Sequence, residues 1–131
     1  MINKNKILII ISLLFFLSVN NLNASEQFNF DVTELEISDN GNIIKGFKRG
    51  NATTQDGLRI ESDNFHYDKI LNILNAYGNV KIIDLKNDYI ILSEKITYIK
   101  NQEKIFTNGI TRAIIESRYK FESKNVLFLR N

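Results

Sequence analysis

The sequence predicts an all-β protein built from repeats of about 30 residues. Three observations lead to this prediction: one apolar pattern recurs four times, proline is absent from all 131 residues, and several Asn-Gly or Asp-Gly pairs punctuate the chain. Without proline, every backbone N–H can join a β-ladder. Asn-Gly pairs favour tight hairpins because both central residues tolerate positive φ. We therefore expect short strands joined by tight turns.

The repeated unit has apolar or small residues at its first, third, sixth and eighth positions, so the alternation changes phase after the third. Alternate residues of a strand share one face, and a change of phase requires a bulge or a corner. A corner at the same place in every copy predicts a sheet that folds over on itself in register. The copies are Phe30, Val32, Leu35, Ile37; Ile60, Ser62, Phe65, Tyr67; Ile91, Ser93, Ile96, Tyr98; and Phe121, Ser123, Val126, Phe128.

Polar turns divide and separate the copies. Within copies we predict turns at residues 39–41, 68–69, 77–79, 100–102 and 108–109, and between copies at 56–57 and 86–88. We interpret residues 70–76 as a turn followed by a strand. Both an antiparallel folded sheet and a parallel β-helix fit a stack of short strands, and the hairpin signal at Asn40-Gly41 favours antiparallel pairing. The first and last strands, predicted over 28–37 and 119–129, would be left with unpaired edges.

The N-terminus has the order of a secretory signal peptide. Lys4 and Lys6 precede an apolar run over residues 7–19, and a polar stretch then leads to Ala24 and Ser25. A membrane-spanning helix needs about 20 apolar residues, so a retained anchor is the weaker alternative. We predict a signal peptide over 1–24 and a mature domain over 25–131, with cleavage after Ala24 or after Ser25.

Charge and cysteine content exclude several functional classes. The chain has 17 basic and 15 acidic residues, and removal of Lys4 and Lys6 leaves 15 of each. This balance lacks the basic excess of a nucleic-acid-binding domain. Because the sequence contains no cysteine, neither disulfide bonds nor thiolate chemistry can operate.

The second copy resembles the OstA-like lipopolysaccharide-transport family. That family's repeat consists of an apolar-x-Ala-Asp segment, an apolar-x-Tyr-Asp segment, a turn, and Ala-x-Gly-Asn-Val. Here residues 60–69 and 72–80 match it, with Ser62 at the usual alanine position, and the third copy matches more loosely. The first copy, with its run at 46–50, departs from the pattern and is more similar to the N-terminal domain of LptD than to LptA. The domain is then either freestanding or a piece of a longer outer-membrane protein.

The resemblance implies a V-shaped β-jelly roll that shields lipid A acyl chains in an apolar groove, in the periplasm or associated with the outer membrane. Lipopolysaccharide would be the ligand. Other OstA-like domains would stack edge to edge, and an outer-membrane barrel would be a partner in cis or in trans. The groove residues implied are Ile60, Phe65, Tyr67, Leu74, Val80, Ile82, Ile91, Ile96, Tyr98, Ile105, Val126 and Phe128. Each would equally fit an ordinary core.

No residue pattern predicts catalysis, a metal site or a cofactor. The single histidine, His66, lies between Phe65 and Tyr67 and so belongs to the opposite face of its strand. The recurring serines are interpreted as small packing residues at the corner, and the flanking carboxylates as a solvated face. We therefore expect no enzyme. Two rival hypotheses are a β-edge adaptor that docks a partner by strand addition, and a carbohydrate-binding or hydrolytic domain.

Overall fold

The computed structural model describes residues 27–130 and confirms the all-β prediction. Ten strands form one antiparallel sheet, and two short 3-10 turns lie at Asp39–Gly41 and Lys100–Gln102. The predicted signal peptide, residues 1–24, lies outside the described residues. The strands are β1 Asn29–Ser38, β2 Ile43–Thr53, β3 Leu58–Ser62, β4 Asn64–Asp68, β5 Ile73–Asp84, β6 Tyr89–Ile99, β7 Lys104–Asn108, β8 Ile110–Ile115, β9 Tyr119–Lys124 and β10 Leu127–Leu129.

The sheet folds over on itself because its long strands change partners halfway along. In β2, residues 43–46 pair with β4 and residues 50–53 pair with β3. In β5, residues 73–77 pair with β4 and residues 81–84 pair with β3. β6 divides its pairing between β8 and β7 in the same way.

Two layers result. The first layer has the order β1-β2-β3-β5-β6-β8-β9 and the second β1-β2-β4-β5-β6-β7-β10, with the first half of β1 in one and its second half in the other. We call the line where the strands cross between layers the ridge. The hairpin turns of both layers lie at the opposite side, which we call the open edge.

The predicted corner of the repeat is the ridge. In the second copy Ser62 ends β3 and Phe65 lies in β4, and in the third copy β6 changes its pairing partner between Leu92 and Lys95. The Ser62 side chain is fully buried, and its hydroxyl donates to the carbonyl oxygens of Asn64 and Tyr77 at 3.0 Å. A small side chain is needed here because two strands meet at the bend.

Three predicted boundaries are wrong. Residues 77–79 form a bend within the continuous strand β5, and Gly109 separates β7 from β8; both positions lie on the ridge and neither is a hairpin turn. Residues 119–129 form two strands, β9 and β10, that belong to different layers. Sequence alone does not separate these cases because both a ridge bend and a hairpin require residues that tolerate positive φ, as Gly78, Asn79 and Gly109 do.

The core lies between the two layers. Alternation in β5 and β6 directs every second side chain inward, and the same holds for β3, β4 and β7. Within residues 27–130 no helix is long and apolar enough to cross a membrane.

Candidate functional site

The apolar interior is the candidate site, and the structure brings the predicted groove residues together there. Val126 is partly buried and packs against the core, whereas the other predicted residues are buried. Both layers contribute: Ile60, Val80, Ile82 and Ile91 come from the first, and the second provides Phe65, Tyr67, Leu74, Ile96, Tyr98, Ile105 and Phe128. Their side chains fill the space between the layers, so this state presents a packed interior. Whether any of them contacts lipid stays a prediction.

Aromatic rings occupy the interior beneath β1. Phe28 is 1% exposed and meets Tyr67 and Tyr98 edge to face, with ring centroids 4.9 and 5.7 Å apart. Phe30 packs edge to face on Phe65 at 5.8 Å. Such arrangements add stabilisation beyond the burial of apolar area. They close the interior on the side of the first strand.

Close backbone packing builds the ridge. The backbone N–H of Arg49 donates to the Asp63 carbonyl oxygen at 2.9 Å, and the Asp63 N–H donates to the Gly78 carbonyl oxygen at 2.9 Å. The Arg49 guanidinium also pairs with the Asp63 carboxylate at 2.9 Å, and this hydrogen bond, with a second from Asn79, lowers the pKa of Asp63. At Gly50 a side chain is excluded, since an added Cβ would lie 2.3 Å from the carbonyl oxygen of Asp31.

A buried arginine joins the two layers at the open edge. The side chain of Arg130, just after β10, is 1% exposed. Its Nε lies 2.6 Å from Asp84 Oδ2 and its Nη2 lies 3.0 Å from Asp56 Oδ2, both in the first layer. Its Nη1 donates to Glu103 Oε2 at 2.9 Å and to the Tyr98 hydroxyl at 2.7 Å, both in the second layer. One guanidinium therefore connects both layers; we call this group of five residues the Arg130 cluster.

The two carboxylates of the first layer are held in their ionised forms. Burial opposes ionisation of Asp84, but hydrogen bonds from Arg130 and Asn87 outweigh it and hold the pKa of Asp84 below its ordinary value. A hydrogen bond from the Thr54 hydroxyl, together with the Arg130 charge, lowers the pKa of Asp56. Buried ions need such partners, because an isolated buried charge is costly.

In the second layer, too, hydrogen bonds outweigh the effect of burial on the pKa values. Burial opposes ionisation of Glu103, yet hydrogen bonds from Lys100 and Tyr98 lower its pKa. Burial also works against the charge of Arg130, but its hydrogen bonds to Asp84 and Tyr98 raise its pKa. The three carboxylates and the guanidinium of the cluster are therefore ionised at neutral pH, whereas burial raises the pKa of Tyr98 and keeps its hydroxyl protonated.

One buried hydroxyl beside the cluster has no partner. Tyr89 is 7% exposed, its hydroxyl makes no hydrogen bond within the described part of the chain, and it lies directly across the β5–β6 hairpin from Asp84. Burial raises the pKa of Tyr89, and the Asp84 charge raises it further. The Tyr89 ring packs on Phe128, with centroids 5.8 Å apart. An unpartnered buried hydroxyl typically costs about 1–3 kcal/mol.

The two terminal edges of the sheet carry opposite charge patterns. β1 contains Asp31, Glu34 and Glu36 and no basic residue, whereas β9 contains two lysines, Lys120 and Lys124, and one glutamate. β1 pairs only with β2, β9 only with β8, and β10 only with β7, within residues 27–130. Exposed apolar side chains accompany both edges: Leu35 and Ile37 on β1, and Tyr119, Leu127 and Leu129 on the other edge. Each edge is therefore a surface for pairing with another strand.

The groups considered for catalysis do not converge. His66 faces outward between Lys45 and Asn75 of the neighbouring strands. The Ser93 hydroxyl donates to the Lys95 carbonyl oxygen at 3.3 Å, and Ser123 is exposed on β9. Across residues 27–130 no three histidine, aspartate or glutamate side chains are placed so that they could hold a metal ion. The interior between the layers is instead suited to enclosing an apolar ligand.

Sequence reasoning missed the Arg130 cluster, although a signal was present. Arg130 continues the alternation of the inward residues Val126 and Phe128, and Asp84 continues that of Val80 and Ile82. A charge in phase with a buried stripe indicates an internal ion pair, since unpaired charges are almost never buried. Two such charges in one domain predict a mutual contact.

The comparisons with known proteins bear on the fold. No protein-family model matches the sequence, and no curated protein does either. Among solved structures, the chain is similar to LptH of Pseudomonas aeruginosa, described as the LptA homologous periplasmic component of the lipopolysaccharide transport device; the TM-score is 0.62, identity is 13%, and the match covers 77% of this chain and 74% of that chain. The predicted preference for the N-terminal domain of LptD is not confirmed. This chain thus has the folded β-jelly roll of LptH.

Proposed function

We propose that this protein carries lipopolysaccharide in the periplasm, without catalysis, by shielding the acyl chains between its two layers. The observation that carries the proposal is the fold shared with LptH, a periplasmic component of lipopolysaccharide transport. The continuous apolar interior supports it, since burial of acyl chains gains about 25 cal/mol per Å² of apolar surface. Because that interior is packed, acyl chains would enter only as the layers separate.

The edges support head-to-tail stacking with a second copy or a similar domain. β1 spans both layers, and β9 with β10 spans them at the other end. The acidic β1 complements the net positive β9, which favours unlike edges meeting. Stacking would extend the apolar interior from one domain into the next. An outer-membrane barrel as partner, and the relation to LptD, stay proposals of the same kind.

A second candidate function is an adaptor that docks a cell-envelope partner by strand addition. The exposed edges favour it as much as they favour stacking. It differs in needing no lipid, so lipid contact inside the protein separates the two hypotheses.

Photo-crosslinking in cells tests the lipid proposal. Phe65 and His66 are neighbours on β4 with opposite orientations, since Phe65 is 1% exposed inside and His66 faces outward. A photoreactive phenylalanine analogue at position 65 should crosslink to lipopolysaccharide, and the same analogue at position 66 should not. Ile96 on β6 provides a second interior position.

Interior charge provides the converse test. Phe65→Asp should abolish lipid crosslinking from position 96 and also destabilise the fold, because an unpaired buried carboxylate costs several kcal/mol. His66→Ala should alter neither property. Absence of crosslinks at 65 and 96 in a folded protein that still binds envelope partners would favour the adaptor. Loss of function in a folded His66→Ala variant would favour a catalytic role.

Export to the periplasm is a separate prediction. Lys4, Lys6 and the apolar run over residues 7–19 predict that the mature protein begins at Ser25 or Glu26. N-terminal sequencing of protein from the periplasmic fraction measures this directly. Recovery of the intact N-terminus in the inner membrane would contradict it.

A further inference from the structure

The short edge strand β10 is held to the second layer by few backbone hydrogen bonds. β10 has three residues, and within the described part of the chain it pairs with β7 alone, through Leu127 with Phe106, Phe128 with Ile105 and Leu129 with Lys104. Short edge strands open at lower free energy than the whole domain. Phe128 and Arg130 nevertheless point into the interior, so β10 closes the interior at the open edge.

The contacts of Arg130 divide equally between the layers, with two partners in each. If the layers part, Arg130 loses Asp84 and Asp56 but keeps both Nη1 hydrogen bonds within its own layer. Asp84 still accepts a hydrogen bond from Asn87 Nδ2 at 2.9 Å and two more from backbone N–H groups of the adjoining turn at 3.1 Å. Asp56 keeps the Thr54 hydroxyl. Each layer therefore retains hydrogen-bond partners for its own charged groups, and separation of the layers leaves no member of the cluster without one.

The Tyr89 hydroxyl favours separated layers, the open state, over layers in contact, the closed state. In the closed state its hydroxyl is buried and accepts or donates no hydrogen bond among residues 27–130. It lies opposite Asp84, whose Oδ2 accepts from Arg130 and Asn87. Departure of Arg130 would free an acceptor on Asp84 for the Tyr89 hydroxyl. The closed state therefore carries an unmet hydrogen bond that the open state can satisfy.

We propose that Arg130 is a latch: its contacts with Asp56 and Asp84 hold the two layers together at the open edge, and their release admits an acyl chain to the interior. This proposal rests on the proposed function for its ligand. It assigns opposite effects to two neighbouring residues, because Arg130 stabilises the closed state and the Tyr89 hydroxyl destabilises it.

The test compares three variants of the purified protein. Arg130→Met keeps an unbranched apolar stem and removes the guanidinium, and Tyr89→Phe removes the unpartnered hydroxyl. Arg112→Met is the matched control, since Arg112 forms an exposed ion pair with Glu122 on the outer face. Uptake of an anthroyloxy-labelled palmitic acid is followed by fluorescence. Hydrogen exchange is measured without lipid at the amides of residues 107 and 130, which donate between β7 and the chain around β10. These amides should exchange faster when the layers part, because β10 then loses its packing on the first layer.

We expect Arg130→Met to accelerate both uptake and exchange by on the order of tenfold, as for loss of a charge-assisted hydrogen bond. Tyr89→Phe should slow both, and Arg112→Met should leave both unchanged. Equal uptake rates in all variants would overturn the latch while leaving lipid carriage intact. Faster exchange in Arg130→Met, with no variant taking up the fatty acid, would overturn lipid carriage and the admission step together.

A covalent latch keeps the proposal testable if Arg130→Met fails to fold. The chain has no cysteine, so Asp56→Cys with Lys100→Cys places a unique thiol on each side of the open edge and leaves Arg130 paired with Asp84. Linking the thiols with a short bismaleimide should block uptake, whereas capping both with N-ethylmaleimide should permit it. Undiminished uptake by the linked protein would show that acyl chains enter elsewhere, and would overturn the latch.

Discussion

Gly50 shows how strongly a single residue constrains the fold at the ridge. An added methyl group at this position would lie 2.3 Å from the Asp31 carbonyl oxygen and 2.6 Å from the Val32 Cα, both backbone atoms. Backbone cannot move aside as a flexible side chain can, so β1 and β2 would have to separate. We expect Gly50→Ala to lower the free energy of unfolding by about 3 kcal/mol, at the upper end for overpacking.

Gly41 is the control for that substitution. Its φ is +87°, but nothing lies within 4 Å of the position of an added Cβ. Gly41→Ala should therefore cost only the strain of a positive φ, about 1 kcal/mol. Urea unfolding of both variants measures the difference. Equal losses would mean that the ridge adjusts to a methyl group without cost.

The Arg130 cluster also predicts how stability depends on pH. Asp56, Asp84 and Glu103 have folded-state pKa values below their ordinary values. A lowered pKa contributes stability that is fully present above the unfolded pKa and is lost as pH falls through the folded value. Carboxyl groups in unfolded chains titrate near about pH 4. The wild type should therefore lose the contribution of the cluster progressively below that pH.

Arg130→Met turns this expectation into a measurement. Without the guanidinium, the buried carboxyl of Asp84 loses the cation that favours its ionised form. The difference in unfolding free energy between the wild type and Arg130→Met should be large at neutral pH and should shrink on acidification below about pH 4. Chemical denaturation over a pH series gives this difference. A difference that stays constant with pH would show that Arg130 stabilises the fold by packing alone.

At the scale of the element, the sequence predicted the phase of the alternation better than the boundaries of the strands. The change of phase between Ser62 and Phe65 located the ridge, because period-2 alternation cannot continue through a corner. At Gly78 and Gly109 the sequence predicts turns where the structure has bends on the ridge, since sequence shows that positive φ is needed but not the direction in which the chain continues. That direction depends on pairing partners distant in sequence.

The candidate site also has a part that the sequence predicts and a part that it does not. Its apolar lining was predictable because alternation alone assigns Ile82, Ile91 and Ile96 to one face. The Arg130 cluster was not predicted. The phase of the strands could have paired Arg130 with Asp84, but the other three members come from the β2–β3 turn, the end of β6 and the turn before β7. Only the folding of the sheet brings those places together.

At the scale of the whole molecule, one side of β10 is unpaired among residues 27–130 and is suited to a further strand. Arg130 N–H donates to the Glu103 carbonyl oxygen, and the Val126 carbonyl oxygen accepts from Thr107 N–H. Hydrogen-bonded residues alternate along an antiparallel pair, so the backbone groups of Leu127 and Leu129 face away from β7. Their side chains are 46% and 62% exposed. The edge thus offers both backbone groups and apolar surface to a partner.

We therefore predict concentration-dependent, end-to-end association of the mature protein, alone or with a similar domain. Leu127→Pro should weaken it with the fold intact, because the N–H that proline removes is not used in pairing with β7. Leu127→Ala is the control that keeps the N–H and removes most of the apolar side chain, so it separates backbone pairing from apolar contact.

High salt should also weaken association, since the acidic β1 would meet the net positive β9. Sedimentation velocity over a wide concentration range measures each case. A protein that stays monomeric throughout and ignores domains of the same fold would contradict stacking, and the continuous path for acyl chains between domains would lose its physical basis.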